Sequence, residues 1–210
     1  FEPPHFGSNV DGTLVSAATV GGMVAAGLAG PSRAAVGSVR DYVLGVTILN
    51  GKAEVLSFGG QVMKNVAGYD VSRLLAGSLG TLGVLLEVSL KVLPIAPATA
   101  TLRFEMGQAD ALGALNRWGG QPLPVNASAW WDGNLLVRLT GAVAAVQAAR
   151  IRLGGSVVDE ASAASFWRGL RDHHDDYFVR ARAAVADGAT LWRLGRACGR
   201  LARLARSPVA

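Results

Sequence analysis

Short apolar runs, separated by glycine and proline, predict strands in the first half of the chain. Two of them, Val43 to Asn50 and Ala53 to Phe58, meet at Asn50-Gly51-Lys52, and an Asn-Gly pair between apolar runs is a strong hairpin signal. From Val84 to Val92 every second residue is apolar, and three of the four residues between them are polar or charged. This alternation predicts a strand with one buried face.

Two short helices are predicted beside glycine-rich turns. The first runs from Met23 to Leu28 and follows the turn Thr19-Val20-Gly21-Gly22. The second follows Asp70, a residue type that caps helix N-termini, and ends at Gly77. The opening segment, Phe1 to Gly12, contains two consecutive prolines and predicts an extended loop without a helix.

The second half of the chain predicts a compact α+β unit in the order β-α-β-β-α-β, the ferredoxin-like arrangement. Its strands are Ala98–Met106, Val125–Trp131, Asn134–Thr140 and Ser156–Asp159, and its helices are Gln108–Trp118 and Val143–Leu153. A further helix is predicted from Asp159 to Leu170, then a polar segment from Asp172 to Asp176 and a strand from Ala189 to Arg193. Pro94 and Pro97 mark the boundary with the first half.

The net charge of +5 does not indicate a nucleic-acid partner, because it is not spread over the chain. Five arginines lie close to the C-terminus without an acid among them, and the remaining charges balance: Arg193, Arg196, Arg200, Arg203 and Arg206. Their spacing of three and four gives a basic amphipathic pattern. It fits contact with a membrane surface or a partner, or the end of a partial reading frame.

Composition excludes several other classes of protein. A hydrophobic content of 50% excludes disorder, and a single cysteine, Cys198, excludes an internal disulfide and a cysteine metal cluster. The uncharged run from Thr13 to Gly30 is too rich in small residues for a membrane span. His173 and His174 would point about 100° apart on a helix, which favours a solvated polar segment over a metal site.

The most distinctive stretch runs from Gly59 to Val84, GGQVMKNVAGYDVSRLLAGSLGTLGV. Glycines allow positive φ and close approach of another molecule, so this stretch predicts backbone N–H groups placed against a ligand. The turn Thr19 to Gly22 fits either a phosphate contact at a helix N-terminus or a tight packing turn. Lys64 fits either a surface lysine or a cation that faces a cofactor.

Two phrases within this stretch carry a family resemblance. Lys64 to Asp70, KNVAGYD, and Gly77 to Gly83, GSLGTLG, resemble the FAD-binding domain of the vanillyl-alcohol oxidase/PCMH flavoprotein superfamily. Many members have GYD followed by GSEGTLG, with glutamate where this chain has Leu79. That leucine, and the phrase FEPPHFG at Phe1 to Gly7, are similar to the FAD-binding E-subunit family of glycolate oxidases.

The resemblance implies an α+β fold made of the second subdomain of a PCMH-type FAD-binding domain followed by a ferredoxin-like cap. The expected divisions are residues 1–96 for the FAD-binding part, 97–194 for the cap that covers the substrate, and 195–210 for a basic tail. The family begins with another subdomain that has its own glycine loop, and no segment of this chain matches it. We therefore expect the chain to be part of a longer polypeptide.

The resemblance also implies which residues meet FAD. An Arg-Asp pair within GSVRDYVLG lies beside the flavin in this family, although Arg40-Asp41 could equally be a solvated pair. Lys64 would face the pyrimidine edge of the flavin, and Tyr69 would line the site or pack as a wall. The predicted FAD-binding residues are Thr19, Gly21, Gly22, Arg40, Asp41, Lys64, Gly68, Tyr69, Asp70, Gly80, Thr81, Gly83 and Val84.

The implied activity is oxidation of glycolate to glyoxylate in a complex with a second flavin subunit and an iron–sulfur subunit. No His–acid pair identifies a general base, so the sequence predicts no catalytic residue. The alternatives are another FAD-dependent 2-hydroxy-acid dehydrogenase, such as a D-lactate dehydrogenase, and a non-catalytic assembly subunit. The expected location is the cytoplasm, with contact to the inner face of the membrane as one option.

Overall fold

The computed structural model describes residues 2–10, 13–16, 18–60 and 69–191, which fall into two compact units. The first unit comprises Phe1–Ile95 and Leu170–His173, and the second comprises Ala96–Gly169 and His174–Ala210. Each unit has its own apolar core. The fold is mixed α+β, which confirms the predicted class.

The first unit combines two small antiparallel sheets with short helices. Its elements are β1 (Gly7–Val10), β2 (Thr13–Ser16), α1 (Val20–Ala26), α2 (Arg33–Val36), a 3₁₀ turn (Val39–Asp41), β3 (Val43–Leu49), β4 (Val55–Gly59), α3 (Val71–Leu74) and β5 (Val84–Leu90). Strands β1 and β2 pair with each other, and the other three form a sheet in the order β4-β3-β5. Val24, Val46, Ile48 and Leu75 lie in the core of this unit.

The predicted hairpin at Asn50 is present as β3 and β4, which pair antiparallel. Asn50 organises the connection, because its side-chain oxygen accepts hydrogen bonds from the backbone N–H groups of Lys52 and Glu54. The sequence predicts an extended loop from Phe1 to Gly12, and this prediction is wrong for Gly7–Val10. Gly7–Val10 is a strand, because its backbone finds a partner in Thr13–Ser16.

Strand β5 differs from the predicted alternation. Leu85 packs against the core, whereas Val84 is 61% exposed and Leu86 is 55% exposed. The cause is a β-bulge: Thr47 of β3 faces Glu87, but its neighbour Ile48 faces Leu85. The extra residue reverses the side-chain direction, so the predicted alternation holds only at Val88 and Leu90. Val92 was predicted to share the buried face, but it lies beyond the end of β5 and is 85% exposed.

The second unit has the predicted element order β-α-β-β-α-β. Its elements are β6 (Ala98–Glu105), α4 (Gln108–Gly119), β7 (Val125–Trp131), β8 (Asn134–Gly141), α5 (Val143–Leu153) and β9 (Ser156–Val158), followed by α6 (Glu160–Asp172) and α7 (Asp176–Ala186). The sheet is antiparallel in the order β7-β8-β6-β9. Leu102, Leu135, Val137 and Leu139 form its core with residues of α4 and α5.

Local turn chemistry explains the most regular hairpin of this unit. Asp132 and Gly133 join β7 to β8, and both have positive φ, at 47° and 78°. An Asp-Gly pair with two positive φ values matches the twist of the flanking strands. The sequence alone is therefore sufficient to predict this turn.

The C-terminal part of the described chain departs from prediction in three places. Asp172 is buried at 8% exposure rather than solvated, because it accepts hydrogen bonds from Arg171 and from the backbone N–H of His5. Helix α7 is additional, and Asp175 caps it by accepting from Phe178 N–H. Residues 189–191 are not a strand, and the rest of that predicted strand and of the basic tail lies outside the described residues.

Among the residues that the structure describes, no helix is long and apolar enough to cross a membrane.

Candidate cofactor-binding site

The predicted cofactor residues of the first unit are grouped around α1, the 3₁₀ turn and the ends of α3. Helix α1 contacts β5 and the 3₁₀ turn, and α3 contacts the 3₁₀ turn and β3. Most of the predicted set is therefore carried by elements that pack on one another. Lys64 and Gly68 lie outside the described residues.

Glycines lie at both ends of α1. The helix begins at Val20, so Gly21 and Gly22 belong to its first turn rather than to the predicted turn before it, and the segment from Gly77 to Leu79 contacts its C-terminal end. At the N-terminus, the Thr19 side chain caps the helix by accepting a hydrogen bond from Gly22 N–H at 3.0 Å. At the C-terminus, the backbone N–H groups of Gly77 and Leu79 donate to the carbonyls of Val24 and Ala25, at 2.9 and 2.8 Å.

The glycines in these turns serve different purposes. A Cβ at Gly21, Gly77 or Gly80 would meet no atom within 4 Å, so their backbone faces open space. A Cβ at Gly22 would approach Thr19 Oγ1 at 2.9 Å, and one at Gly83 would lie 2.7 Å from the Leu49 carbonyl oxygen. Gly22 and Gly83 are thus required by internal packing, whereas Gly21, Gly77 and Gly80 leave room for a ligand.

The turn from Gly77 to Val84 is ordered by its own backbone. Thr81 donates through both its N–H and its hydroxyl to the Ser78 carbonyl, at 3.0 and 2.7 Å. Gly80 has a φ of 77°, and Leu79, with a φ of 53°, adopts the left-handed conformation that leucine rarely takes. Val84 begins β5 with an exposed side chain.

The Arg40–Asp41 loop is held by a capping interaction. The Asp41 carboxylate accepts from both the N–H and the hydroxyl of Ser38, at 2.8 and 3.1 Å. Gly37, with a φ of 89°, leaves space for that carboxylate, since a Cβ there would lie 2.7 Å from Asp41 Oδ2. The hydrogen bond from the Ser38 backbone is the largest cause that lowers the pKa of Asp41. Arg40 is exposed beside it.

The Tyr69–Asp70 loop is held in a similar way, and Asp70 is the predicted N-cap of α3. Its Oδ1 accepts from the Ser72 hydroxyl at 2.8 Å and from Arg73 N–H at 3.1 Å. Burial acts to raise the pKa of Asp70, but these hydrogen bonds and the charges of Arg73 and Arg40 lower it overall. Tyr69 precedes this cap and is 95% exposed.

Arg73 is absent from the predicted set, yet it is paired with the carboxylate of one loop and its charge acts on that of the other. Its Nε is 3.3 Å from Asp70 Oδ2, and its charge also lowers the pKa of Asp41. The spacing of three between Asp70 and Arg73 was the available sequence signal, because residues three apart are neighbours on a helix. Its effect on Asp41 depends on the tertiary packing of α3 against the 3₁₀ turn.

The geometry is compatible with a dinucleotide cofactor. Three glycines present open backbone surface, and the exposed polar residues of the predicted set include Arg40, Tyr69 and Thr81. In the described part of the chain, no group of three or more His, Cys, Asp and Glu side chains is arranged to hold a metal ion.

Comparison with known proteins identifies extensive sequence similarity. The chain is 47% identical over 193 residues to the glycolate oxidase subunit GlcE of Escherichia coli (strain K12), which is 92% of this chain and 50% of that protein. It is 34% identical over 102 residues to the glycolate oxidase subunit GlcD of Bacillus subtilis (strain 168), which is 49% of this chain and 20% of that protein. The chain thus spans half the length of GlcE. No family model matches it.

Among solved structures, the fold resembles alkyldihydroxyacetonephosphate synthase, with a TM-score of 0.61 over 86% of this chain and 38% of that chain. The sequence identity is 16%, so this likeness concerns the fold alone.

Proposed function

This chain belongs to the same family as the glycolate oxidase subunit GlcE, and on that premise we propose that it binds FAD in a complex that oxidises glycolate to glyoxylate. The observation that carries the proposal is the 47% identity over 193 residues. The open backbone at Gly21, Gly77 and Gly80 supports it, because a cofactor can approach there without meeting a side chain.

The proposed cofactor contacts are those predicted from the sequence, with the roles that the geometry allows. Gly21 and Gly80 would let the pyrophosphate and ribityl portions of FAD approach the backbone. Arg40 and Tyr69 would meet the cofactor through their exposed side chains, while Asp41 and Asp70 order the loops that carry them. Thr19, Gly22 and Gly83 would act indirectly, by shaping α1 and the start of β5.

Bound flavin would supply the hydride acceptor, and the protein would position it. We assign no catalytic residue. We propose that residues 1–96 hold the cofactor and residues 97–194 cover the substrate. The further subunits in the proposal are a GlcD-like flavin subunit and an iron–sulfur subunit, in the cytoplasm or at the inner face of the membrane.

The proposal is tested by the visible absorption spectrum of the natural protein, purified alone and with its partner subunits. Each sample is measured before and after anaerobic addition of glycolate, with D-lactate as the comparison substrate. We expect a flavin spectrum that is bleached by glycolate. Bleaching in the isolated subunit would place the oxidation there, and bleaching only in the complex would assign the subunit a supporting role.

Two results would change the proposal. Bleaching by D-lactate and not by glycolate would assign a different 2-hydroxy-acid substrate. The absence of flavin from both samples would remove the cofactor role and favour a non-catalytic assembly subunit.

A further inference from the structure

We propose that the side chain of Leu79 packs against the flavin ring of the bound cofactor, and that a turn of unfavourable backbone conformation presents it there. The inference rests on the proposed FAD site and adds a contact that is absent from the predicted set. Leu79 lies between Ser78 and Gly80 in the GSLGTLG phrase.

Leu79 and Gly80 are the two central residues of a tight turn. Their φ values are 53° and 77°, and the Thr81 N–H closes the turn by donating to the Ser78 carbonyl at 3.0 Å. Two successive positive φ values with this hydrogen bond are the features of a type I′ turn. Asn, Asp and Gly dominate such turns, because they tolerate the left-handed conformation. Leucine is unfavourable there, since its Cβ comes too close to the following carbonyl oxygen.

The contacts of Leu79 within the protein do not account for a leucine at this position. Its N–H donates to the Ala25 carbonyl of α1 at 2.8 Å, but any residue other than proline could make that backbone hydrogen bond. Its side chain is 73% exposed and belongs to neither of the apolar cores that the described residues form. The side chain therefore contributes little to the packing of the described chain.

The surroundings of Leu79 fit a ligand with an apolar face. A Cβ at Gly77 or Gly80 would meet no atom within 4 Å, so the backbone near Leu79 is open to close approach. Leu82 and Val84, further along the same segment, are exposed as well. Cofactor pockets are lined mainly by apolar side chains, with a few polar groups that fix orientation.

The proposed site indicates which part of FAD would meet this leucine. In that site, the open backbone of Gly80 lets the ribityl chain approach. The flavin ring is bonded directly to the ribityl chain, and Leu79 directly precedes Gly80. The flavin ring is thus the apolar portion of FAD that Leu79 would contact.

The test combines urea denaturation of the flavin-free natural protein with FAD titration, for wild type, Leu79→Asn and Leu79→Met. Leu79→Asn should raise the urea midpoint, because Asn tolerates the left-handed conformation. It should also weaken FAD binding about tenfold, because the apolar contact is lost. Leu79→Met keeps an apolar side chain of similar volume, so its midpoint and its FAD affinity should both stay close to those of wild type.

Ala53→Asn is the matched control. Ala53 is exposed, has a φ of 59° and lies in the connection between β3 and β4 of the same unit. This substitution should also raise the urea midpoint, but it should leave FAD binding unchanged. The visible spectrum of the bound flavin gives a further readout, since polarity around the ring tunes its electronic state. Its absorption bands should shift in Leu79→Asn and not in Leu79→Met.

The outcomes distinguish this inference from the function on which it rests. If wild type does not bind FAD, the proposed function fails. If wild type binds FAD and Leu79→Asn binds it equally well, the Leu79 contact is overturned. A lower urea midpoint in flavin-free Leu79→Asn would also contradict it, because the side chain would then pack within the protein. Weaker binding with an unchanged flavin spectrum would exclude the flavin ring as the group that Leu79 meets.

Discussion

At the scale of single residues, glycines with similar sequence surroundings perform different tasks. Gly80 and Gly83 lie in the same GSLGTLG phrase, and the sequence predicts both as cofactor contacts. In the structure, Gly80 faces open space, whereas Gly83 allows β5 to approach the Leu49 carbonyl oxygen. A motif therefore identifies the segment, but tertiary packing decides which of its glycines can meet a ligand.

This difference predicts that alanine at Gly83 mainly lowers stability, whereas alanine at Gly80 mainly lowers FAD affinity. Gly83→Ala should destabilise the first unit by about 1–3 kcal/mol, because its Cβ would overpack against Leu49. Gly80→Ala should cost about 1 kcal/mol through its positive φ and should reduce FAD affinity more than Gly83→Ala does. Urea denaturation and FAD titration measure the two effects, and the reverse order of affinities would contradict this assignment.

Asp172 gives a second prediction at this scale. The Arg171 hydrogen bonds, and the bond from His5 N–H, lower the pKa of this buried carboxylate. Its stabilising contribution is therefore present above the unfolded pKa, about 3.9, and is lost as pH falls through the lower folded value. Asp172→Asn should lower the unfolding free energy at pH 7 by about 1–3 kcal/mol.

Urea denaturation at pH 7 and near pH 3 provides the check. The difference between wild type and Asp172→Asn should shrink at the lower pH, while the exposed control Asp187→Asn should have little effect at either pH. A difference that grows on acidification would mean that the charged form of Asp172 is not the stabilising one.

At the scale of elements, the β-bulge in β5 shows how a partner strand can override a sequence pattern. The alternation from Val84 to Val92 is clear, yet Leu85 rather than Leu86 packs against the core. The bulge is formed by the pairing of Thr47 and Ile48 with β5, which is not visible in the sequence of β5 itself. The alternation therefore predicted that a strand is present, but it did not predict which of the first residues of the strand face the core.

The bulge is tested by two leucine-to-alanine substitutions at adjacent positions. Leu85→Ala should destabilise the protein by about 2 kcal/mol or more, because Leu85 packs on the core. Leu86→Ala should change stability by less than about 0.5 kcal/mol, since Leu86 is 55% exposed. Thermal denaturation measures the loss of stability in each variant. A larger loss in Leu86→Ala than in Leu85→Ala would contradict the bulge and support the simple alternation.

The elements that sequence reasoning predicted best depend on local chemistry. The Asn50-Gly51 pair predicts the hairpin of β3 and β4, and Asp70 predicts the start of α3, because each acts on neighbouring backbone. The burial of Asp172 and the effect of the Arg73 charge on Asp41 were not predictable. They depend on packing between distant parts of the chain, because His5 donates to Asp172 and α3 packs on the 3₁₀ turn.

At the scale of the whole molecule, the described chain contains two separate hydrophobic cores. Val24 and Leu75 belong to the core of the first unit, and Leu135 and Val137 belong to that of the second. The predicted cofactor residues that the structure describes all lie in the first unit. A core substitution in the second unit should thus leave the cofactor residues in place.

Leu135→Ala tests this separation. It removes a fully buried side chain of β8 and should destabilise the second unit by about 2–5 kcal/mol. Below the temperature at which the second unit unfolds, FAD affinity should remain that of wild type. Val24→Ala, in the core of the first unit and within α1, is the matched control and should reduce both stability and FAD affinity.

The most direct test of the proposed cofactor site is a titration of the flavin-free natural protein with FAD, read by the quenching of flavin fluorescence. We predict saturable binding of one FAD per chain and weaker binding by Gly80→Ala, because Gly80 faces open space. The absence of saturable binding, or an unchanged affinity in Gly80→Ala, would contradict the assignment of this glycine-rich surface to the cofactor.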